Sequence, residues 1–536
     1  MTITYRLEVD LNRDGQYALS APEADLTAHV AALTWREGMA ASFDEVAAPA
    51  ELRVTLVNSG AFDPESETAL YAGRLLPGLL VRLQADDGDA LRTLFIGRLK
   101  RFALSPAAHG VRGVVLLVQD VLLELLDAEY TPPLLLDATI DEALRPLFDL
   151  PLTPWPYAAR FWMLETGASG QLDSGTRLYE DTATDFEVGR TRLAYAGDNL
   201  DRGQGVSAQG AIRDLVAAEA GGRFFWQAQT GRFVFHNRAH DVLNETISGV
   251  FSGDEFTPEG TVYAYGDSLI NALTVSYQPR EVGNPTSILW SAPGLPLLLP
   301  AGGTLTLDAR YSDPDNPAAR VGALDVIRPV AYTDYSASRM AGGSVDRTPF
   351  LAVAIRRNAG RATLRLVNTD RVNDLYVQML QLRGTPLLAQ PPLLARAADP
   401  ASIAAYERHE PQPLDLRAVD DGEFAGQIAR FIVNRFSQPL ARFAAVRFVA
   451  NASAALMQHA LARRVGDKIT IANARLGHDA DYVIVGQRHS LRAGGDLLHT
   501  VTWVLAPLSR TSYWRVSDGV DWTAYSRLDH SARLML

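Results

Sequence analysis

The chain has 536 residues, of which 47% are hydrophobic and 21% charged, with a formal net charge of −12 and no cysteine. This composition excludes an intrinsically disordered chain, and the length predicts about three to five domains. The lack of cysteine excludes disulfides, thiolate metal sites and cysteine nucleophiles, and the negative charge disfavours general binding to nucleic-acid phosphates.

The N-terminal part begins with a strand and a possible metal loop. Tyr5–Val9 alternates as a strand, and Asp10, Asn12 and Asp14 then follow the D-x-N-x-D-G spacing that opens a calcium loop. Position twelve of such a loop falls on Ala21, where a bidentate Glu is needed. The three residues are therefore weak metal candidates, and the alternative is a tight hairpin turn.

One pattern of glycine, strand, turn, strand, glycine, loop and strand occurs twice. It starts at Gly78 and at Gly466, and the second glycine of each copy, Gly97 or Gly486, follows after 19 or 20 positions. We interpret the repeat as two copies of one small antiparallel β-barrel, because closing a sheet of short strands removes its exposed edges. The alternative is a chance resemblance between two meanders.

The stretch between the repeats predicts a helix, a hairpin and a sandwich. Ser207 is a candidate N-cap for a helix that Gly221 and Gly222 end, and an aromatic hairpin follows up to Arg238. Close strands without helices over 258–405 are typical of an immunoglobulin-like β-sandwich. A second helix is predicted at Gly422–Phe436, with Phe424, Ile428, Ile432 and Phe436 on one stripe.

The predicted fold class is mainly β with short helices, a β-rich α+β arrangement. The predicted domains are an N-terminal β-barrel (1–130), a mixed α/β connecting domain with the helix-hairpin joint (131–257), an inserted immunoglobulin-like β-sandwich (258–405), a second β-barrel (406–510) and a C-terminal aromatic docking tail (511–536).

Motifs for catalysis or cofactor binding are missing from the sequence. It contains no P-loop, no H-E-x-x-H and no G-x-S-x-G, and the glycines Gly203, Gly205 and Gly210 miss the dinucleotide spacing. His236 and His240 are four apart, but the strand pattern favours a solvated or core histidine over a metal ligand. We therefore predict no catalytic residue and no cofactor.

Two further clusters leave alternatives open. Carboxylates at Glu180, Asp181, Asp185 and Glu187 could serve glycoside chemistry, or they lie on a solvated loop. The last segment is rich in aromatic residues. This pattern predicts either an interface with a partner or packing against the segment's own domain. The interface candidates are Tyr513, Trp514, Trp522 and Tyr525.

A series of pieces, in consistent order over most of the chain, resembles the hub proteins at the tip of bacteriophage tails and phage-like particles. The pieces are YRLEVDLNRDGQY, ADLTAHVAALTWREG, LRVTLVNSGAFDPES, LPGLLVRL, FIGRL, AIRDLVAAEAGGRFFWQAQTGRFVFHNR, LYVQMLQLRGTPL, RVGDKITI, YVIVGQRHSL and HTVTWVLAPL.

The resemblance implies a structural adaptor and not an enzyme. It implies a homotrimer whose six barrels match a six-fold tail tube, with the tube protein, a spike or tail-tip protein, and possible tape-measure and other baseplate proteins as partners. No sequence-specific nucleic acid is expected. Neither a membrane span nor a secretion signal is evident, so we expect assembly in the bacterial cytoplasm and a final place in the tail. The alternatives are a tail-associated polysaccharide or peptidoglycan hydrolase using Glu180, and a carbohydrate-binding adhesin using Trp226 or Trp290.

Overall fold

The computed structural model describes residues 3–13, 17, 24–57, 60–65, 67–88, 90–104, 113–149, 184–198, 206–244, 246–492 and 498–508, and the short strands at 512–514 and 532–534. In this part of the chain most regular structure is β, in several antiparallel sheets, as the sequence predicts. No helix within the described ranges is both long and apolar enough to cross a membrane.

Six strands of the N-terminal part form one antiparallel unit, called here the N unit. Its strands, followed by one helix, are Thr4–Val9 (β1), Val30–Gly38 (β2), Glu51–Val57 (β3), Leu80–Asp86 (β4), Leu91–Leu104 (β5), Gly113–Gln119 (β6) and Leu122–Asp127 (α1). They pair in the order β1-β4-β5-β6-β3-β2. The alternation predicted for β3 is confirmed, because Leu52, Val54 and Leu56 are all buried while Arg53 and Val57 are exposed.

The connecting region packs small sheets against helices. Its elements are Glu129–Tyr130 (β7), Leu135–Thr139 (β8), Ile140–Leu144 (α2), Pro146–Asp149 (α3), Thr184–Phe186 (β9), Arg192–Ala196 (β10), Val206–Ser207 (β11), Ala208–Ala218 (α4), Arg223–Gln227 (β12), Arg232–His236 (β13) and His240–Leu243 (α5). Strand β10 pairs with β8, β11 pairs with β7, and β13 lies between β12 and β9.

The predicted helix-hairpin joint is confirmed. The Ser207 hydroxyl accepts a hydrogen bond from the Gly210 amide at 3.0 Å, which caps α4. The helix end differs in detail, because Ala220 (φ 54°) already adopts the left-handed conformation before Gly221 (φ 117°). In the hairpin, Trp226 lies opposite Phe233, so aromatic side chains from both strands fill the core beneath α4.

The next part of the chain contains a two-layer β structure. Its elements are Ile247–Ser252 (β14), Val262–Tyr265 (β15), Ala272–Tyr277 (β16), Arg280–Val282 (β17), Ser287–Ser291 (β18), Leu297–Leu299 (β19), Thr304–Arg310 (β20), Gly322–Val326 (β21), Tyr335–Ser338 (β22), Leu351–Arg357 (β23), Arg361–Asn368 (β24), Leu375–Ala389 (β25) and Leu393–Ala398 (β26). One sheet is built around β25, which pairs with β17, β18, β19, β21 and β22, and the other has the order β20-β24-β23. Leu289 and Val377 of the first sheet and Leu364 and Leu366 of the second share one buried core.

This region differs from the sandwich that the sequence predicts. One long strand pairs with five others, whereas the immunoglobulin fold distributes seven strands over two sheets of four and three. In addition, β15 and β16 lie outside the sandwich, since β15 pairs with β28 and β16 pairs with β26 and β27. The residue types of a short strand do not show to which sheet it belongs, so the sequence did not distinguish between these sheets.

The last part of the chain contains the second predicted helix and a second six-strand unit. Its elements are Pro400–Tyr406 (α6), Leu414–Leu416 (β27), Gly422–Phe436 (α7), Ala441–Val449 (β28), Ala454–Ala462 (α8), Lys468–Asn473 (β29), His478–Arg492 (β30), Leu498–Pro507 (β31), Ser512–Trp514 (β32) and Ala532–Leu534 (β33). The bounds of α7 are those predicted. Its buried face is rotated from the predicted stripe, because Ala425, Ile428, Ala429 and Val433 are fully buried while Phe424, Ile432 and Phe436 are only partly so.

The internal repeat is confirmed in the order of its strands. The strands β14-β29-β30-β31-β28-β15 form a unit, called here the C unit, that matches β1-β4-β5-β6-β3-β2 position by position. In the N unit the Gly78 amide donates to the Leu99 carbonyl and the Leu99 amide to the Leu79 carbonyl. In the C unit Gly466, Ile484 and Asp467 make the same pair of bonds. Both glycines have positive φ, and the register of β5 and of β30 shifts immediately after Leu99 and Ile484.

This equivalence corrects one detail of the predicted repeat. Gly97 lies opposite Val81, and the corresponding position in the C unit is Tyr482, opposite Ile469. The similar spacing to Gly97 and to Gly486 was therefore a coincidence. The only outer strands that differ in direction are β1, antiparallel to β4, and β14, parallel to β29.

Two closed barrels are not formed by pairing between the described strands. The units instead share one twelve-stranded sheet, in which the outer edge of β2 pairs with β30. Strand β14 lies in the predicted connecting domain and β15 in the predicted sandwich, yet both belong to the C unit. The division into five domains stays a prediction.

Candidate assembly interface

The contact between the two units is an antiparallel pairing of β2 with β30, called here the internal seam. Its register runs from Ala32 opposite Arg492 to Gly38 opposite Gly486. At its centre the Trp35 indole stacks on the His489 imidazole, with ring centroids 4.4 Å apart and planes within 6°. Both side chains are buried, so the seam has a core of its own and is not a surface contact.

A chain of buried hydrogen bonds crosses the seam in one direction. The Gln487 side-chain N–H donates to the Arg463 carbonyl. The side-chain oxygen of Gln487 accepts a hydrogen bond from Nε2 of His489 at 3.0 Å. With neutral imidazoles, Nδ1 of His489 accepts from Nε2 of His499, also at 3.0 Å, and Nδ1 of His499 accepts from the Tyr5 hydroxyl at 2.8 Å. In this neutral state each imidazole has one defined tautomer.

The environment of these histidines opposes protonation. Burial lowers the pKa of His489 well below its usual range, and the neighbouring His499 lowers it further. Burial lowers the pKa of His499 to about 4. An added proton on either imidazole would change the donor and acceptor roles along this chain, so the arrangement described above belongs to neutral histidines.

Two carboxyl groups near the end of the seam are also perturbed. Burial raises the pKa of Glu37 to about 7, although the charge of Arg464 lowers it. Burial raises the pKa of Asp120 well above its usual range, and the Glu37 charge adds to this effect against backbone N–H groups that stabilise the carboxylate. The end of the seam therefore disfavours the state in which Glu37 and Asp120 are both ionised.

The two units leave several strand edges unpaired within the described part of the chain, and two of them matter for contact between chains. Strand β15 pairs with β28 along one edge only, and β5 beyond Leu99 pairs with β6 only. The side chains of Val262, Tyr263 and Tyr265 are 49%, 38% and 73% exposed. An apolar edge strand offers free N–H and C=O groups to another strand, which makes it a candidate for contact between chains.

A cavity of about 610 Å³ lies where both units meet the connecting region. Several charged side chains in its wall are already paired, since Asp267 binds Arg442 and Arg408 binds Glu410. Phe43 and Phe436 pack edge to face and form an apolar part of the wall. This chemistry fits an apolar side chain better than a small charged ligand.

The candidate metal residues are not brought together. Asp10 is buried and Asn12 is exposed, while Asp14 lies outside the described residues. Among the residues that the structure covers, no group of three or more His, Asp or Glu side chains could hold a metal ion.

The acidic cluster is also divided. Glu180 and Asp181 lie outside the described residues, and Asp185 is exposed. Burial raises the pKa of Glu187, but His240 and the Asn237 amide outweigh this effect, so that its pKa is lowered. The Glu187 carboxylate lies 2.5 Å from Nδ1 of His240, so this side chain is a hydrogen-bond partner within the connecting region.

The remaining candidates have structural surroundings or are not described. His236 stacks on His240 with centroids 3.5 Å apart, and burial is the main reason that its pKa falls to about 3, so the prediction of a core histidine is supported. Trp226 is only 4% exposed and cannot stack on a sugar, while Trp290 packs partly against the sandwich core. For the tail candidates, only the backbone of Tyr513 and Trp514 is described. Trp522 and Tyr525 lie outside the described residues.

Sequence reasoning missed Tyr5, His489 and His499. A usable signal was present, because His489 and His499 lie about equally far from Gly494-Gly495, where a turn was expected. Residues at equal distances from a hairpin turn face each other or lie diagonally across the strands. The contact with Tyr5, almost 500 residues away in sequence, has no local signal.

No protein-family model matches the chain, and no curated protein matches it. Among solved structures, the chain is similar to a tail protein from Neisseria meningitidis, with a TM-score of 0.44, 10% identity and coverage of 94% of this chain and 97% of that one. A 43 kDa tail protein of prophage MuSo2 from Shewanella oneidensis gives a TM-score of 0.45, 9% identity and coverage of 93% and 98%. The E. coli c3393 protein, described as a component of the type VI secretion system, gives a TM-score of 0.35, 10% identity and coverage of 95% of this chain and 78% of that one. With scores below 0.5, the functional assignment depends on the strand order and on the sequence resemblance.

Proposed function

We propose that this chain is a structural hub of a phage tail or phage-like particle, and that it is not an enzyme. Three copies form a ring of six equivalent units, which joins a six-fold tail tube to a spike or tail tip. The observation that carries the proposal is the presence of two units with the same strand order in one chain, joined edge to edge.

Duplication solves a symmetry problem at such a junction. A six-fold tube presents six equal surfaces, and a three-fold object can match them only if each chain supplies two similar surfaces. The likeness of the N unit and the C unit supports this arrangement, because they share strand order, bulge position and the paired hydrogen bonds at Gly78 and Gly466.

The internal seam supports a ring instead of two independent domains. It orients the units through seven paired residues and a buried polar chain, so the second unit follows the first in a fixed geometry. Repeating one heterologous contact closes a ring when the rotation allows it. A net charge of −12 per chain is suited to a channel wall that does not bind passing DNA.

The test is the mass of the purified chain at micromolar concentration, measured by mass photometry alone and with the tube protein of the same particle. We expect a species of about three times the 58.3 kDa chain mass, and its co-sedimentation with assembled tube protein. A surface variant, Val372→Asp, should give the same mass and the same co-sedimentation, because this side chain is 84% exposed on the sandwich. A chain that stays monomeric with and without tube protein would refute the proposal.

A further inference from the structure

The internal seam defines which strand edges a second copy of the chain would use. In the C unit, residues 478–483 of β30 pair with β29, and residues 486–492 pair with β2 along the same edge. The N unit has the same arrangement up to Leu99, where the pairing of β5 with β4 ends. The stretch of β5 from Arg101 to Leu104 is thus the N-unit counterpart of the part of β30 that binds β2.

The partner of that edge is identified by the same equivalence. Strand β2 occupies the outer position next to β3, and β15 occupies the outer position next to β28. Val262 lies opposite Ala445, as Thr34 lies opposite the equivalent Arg53. Among the strands that the structure describes, each chain therefore has one unused edge of the β2 type and one of the β30 type.

We infer that β15 of one chain pairs in antiparallel fashion with the last residues of β5 of the next chain, an inference that rests on the ring of the proposed function. The register of the internal seam, transferred through the equivalent residues, places Tyr263 opposite Ala103, Ala264 opposite Phe102 and Tyr265 opposite Arg101. The partner surface is a second copy of this chain. Each chain contributes both edges, so the contact is head to tail and closes into a ring.

The exposed side chains of these edges agree with such a contact. Tyr263 and Tyr265 are the aromatic residues of β15, and both are exposed. Lys100 and Arg101 are exposed on β5. Aromatic faces attract cations, and cross-strand neighbours of this kind stabilise a sheet.

The two kinds of seam differ in strength. The register shift in β15 between Val262 and Tyr263 leaves no residue in the position of Trp35, and the position of His489 is occupied by Leu104. The seam between chains thus lacks both the buried stack and the polar chain. We expect rings to dissociate into intact chains before the internal seam opens.

Crosslinking tests the register directly, because the chain contains no cysteine. In the internal seam the Met39 amide donates to the Val485 carbonyl, so Gly38 and Gly486 form a non-hydrogen-bonded pair. Such pairs recur every two residues, so Arg36 and Arg488 also form a non-hydrogen-bonded pair. Tyr263 and Ala103 occupy that second pair position. Their Cα atoms should be about 4.5 Å apart, within the range for a disulfide of about 4.4–6.8 Å.

The double variant Tyr263→Cys/Ala103→Cys should form disulfide-linked species that end at three chains on a non-reducing gel. The matched control is Tyr265→Cys/Ala103→Cys, in which the Cα atoms are diagonal neighbours about 7–8 Å apart, and it should crosslink at least about tenfold more slowly. Equal rates for both pairs, or linked species that end at two chains, would overturn the inferred contact. Trimers in mass photometry without a Tyr263–Ala103 crosslink would overturn this contact and leave the proposed function intact, whereas failure to trimerise would remove both.

Discussion

Acid should weaken the internal seam through its buried histidines. The perturbation is a fall in pH from 7 to 5, and the site is His499, whose side chain is fully buried and whose pKa is about 4 in the folded chain. In the unfolded chain a histidine has a pKa of about 6.5. The folded pKa is the lower of the two, so the stabilisation is complete above about pH 6.5 and is lost as the pH falls towards 4.

The size of the effect follows from the two pKa values. Between pH 7 and pH 5 the opened seam gains roughly 0.7 proton at His499, and the closed state loses about 2 kcal/mol relative to it, or about 20-fold in the opening equilibrium. His489 acts in the same direction, because its pKa is also lowered. Glu37 and Asp120 act in the opposite direction, because a carboxyl group with a raised pKa favours the closed state as the pH falls. The contribution of His499 is therefore measured as the difference between wild type and a variant without this histidine.

The assay is hydrogen exchange of peptides from β2 and β30, corrected for the intrinsic effect of pH on exchange. His499→Gln keeps a donor and an acceptor but does not titrate, so it should remove about 20-fold of the acceleration between pH 7 and pH 5. His409→Gln, at an exposed histidine outside the seam, should leave the pH dependence unchanged. If wild type and His499→Gln respond equally to pH, the buried histidines are not what makes the seam acid-sensitive.

Two further predictions concern backbone contact and ion pairing. Gly486→Ala would place a Cβ atom 2.1 Å from a backbone carbonyl oxygen of the residue after β2, so urea unfolding should show a loss of about 1–3 kcal/mol. Gly342→Ala meets no atom within 4 Å and should be neutral; similar losses for both variants would contradict the close approach at the seam. Asp198→Asn breaks the buried ion pair with Arg280, at 2.9 Å, between the connecting region and the sandwich, and should lower the thermal transition by an amount that corresponds to about 3–5 kcal/mol. Asp415→Asn at an exposed pair should change stability by at most about 1 kcal/mol, and an equal effect of the two substitutions would refute the role of burial.

The two kinds of seam also suggest an order of assembly. The internal seam joins segments of one chain and forms without a second molecule, whereas contact between β15 and β5 of two chains depends on concentration. A chain with a preformed pair of units would add to the ring as one rigid step. In the inferred contact the exposed Tyr265 becomes buried when its chain pairs with the next one, which makes it a useful site for a fluorescence probe of assembly.

Much of the local structure was predictable from the sequence. The helix at Gly422–Phe436, the cap at Ser207 and the aromatic hairpin after it all follow from signals within a few residues, such as a capping side chain, a glycine pair and strict alternation. The three-strand part of the repeat, β4-β5-β6 and β29-β30-β31, was also found in this way, because these strands follow one another closely in the sequence. Local propensity and periodicity are properties of the sequence itself, and they do not depend on what lies on the other side of the sheet.

Only the tertiary structure decided how these elements combine. Alternation states that one face of β2 is buried, but not that its edge pairs with β30, more than 400 residues later in the chain. It equally left open that β15 belongs to the C unit and that Tyr5 completes a hydrogen-bond chain with His499. An unpaired strand edge can accept any strand of suitable register, and the choice is made by the packing of both units around a common core.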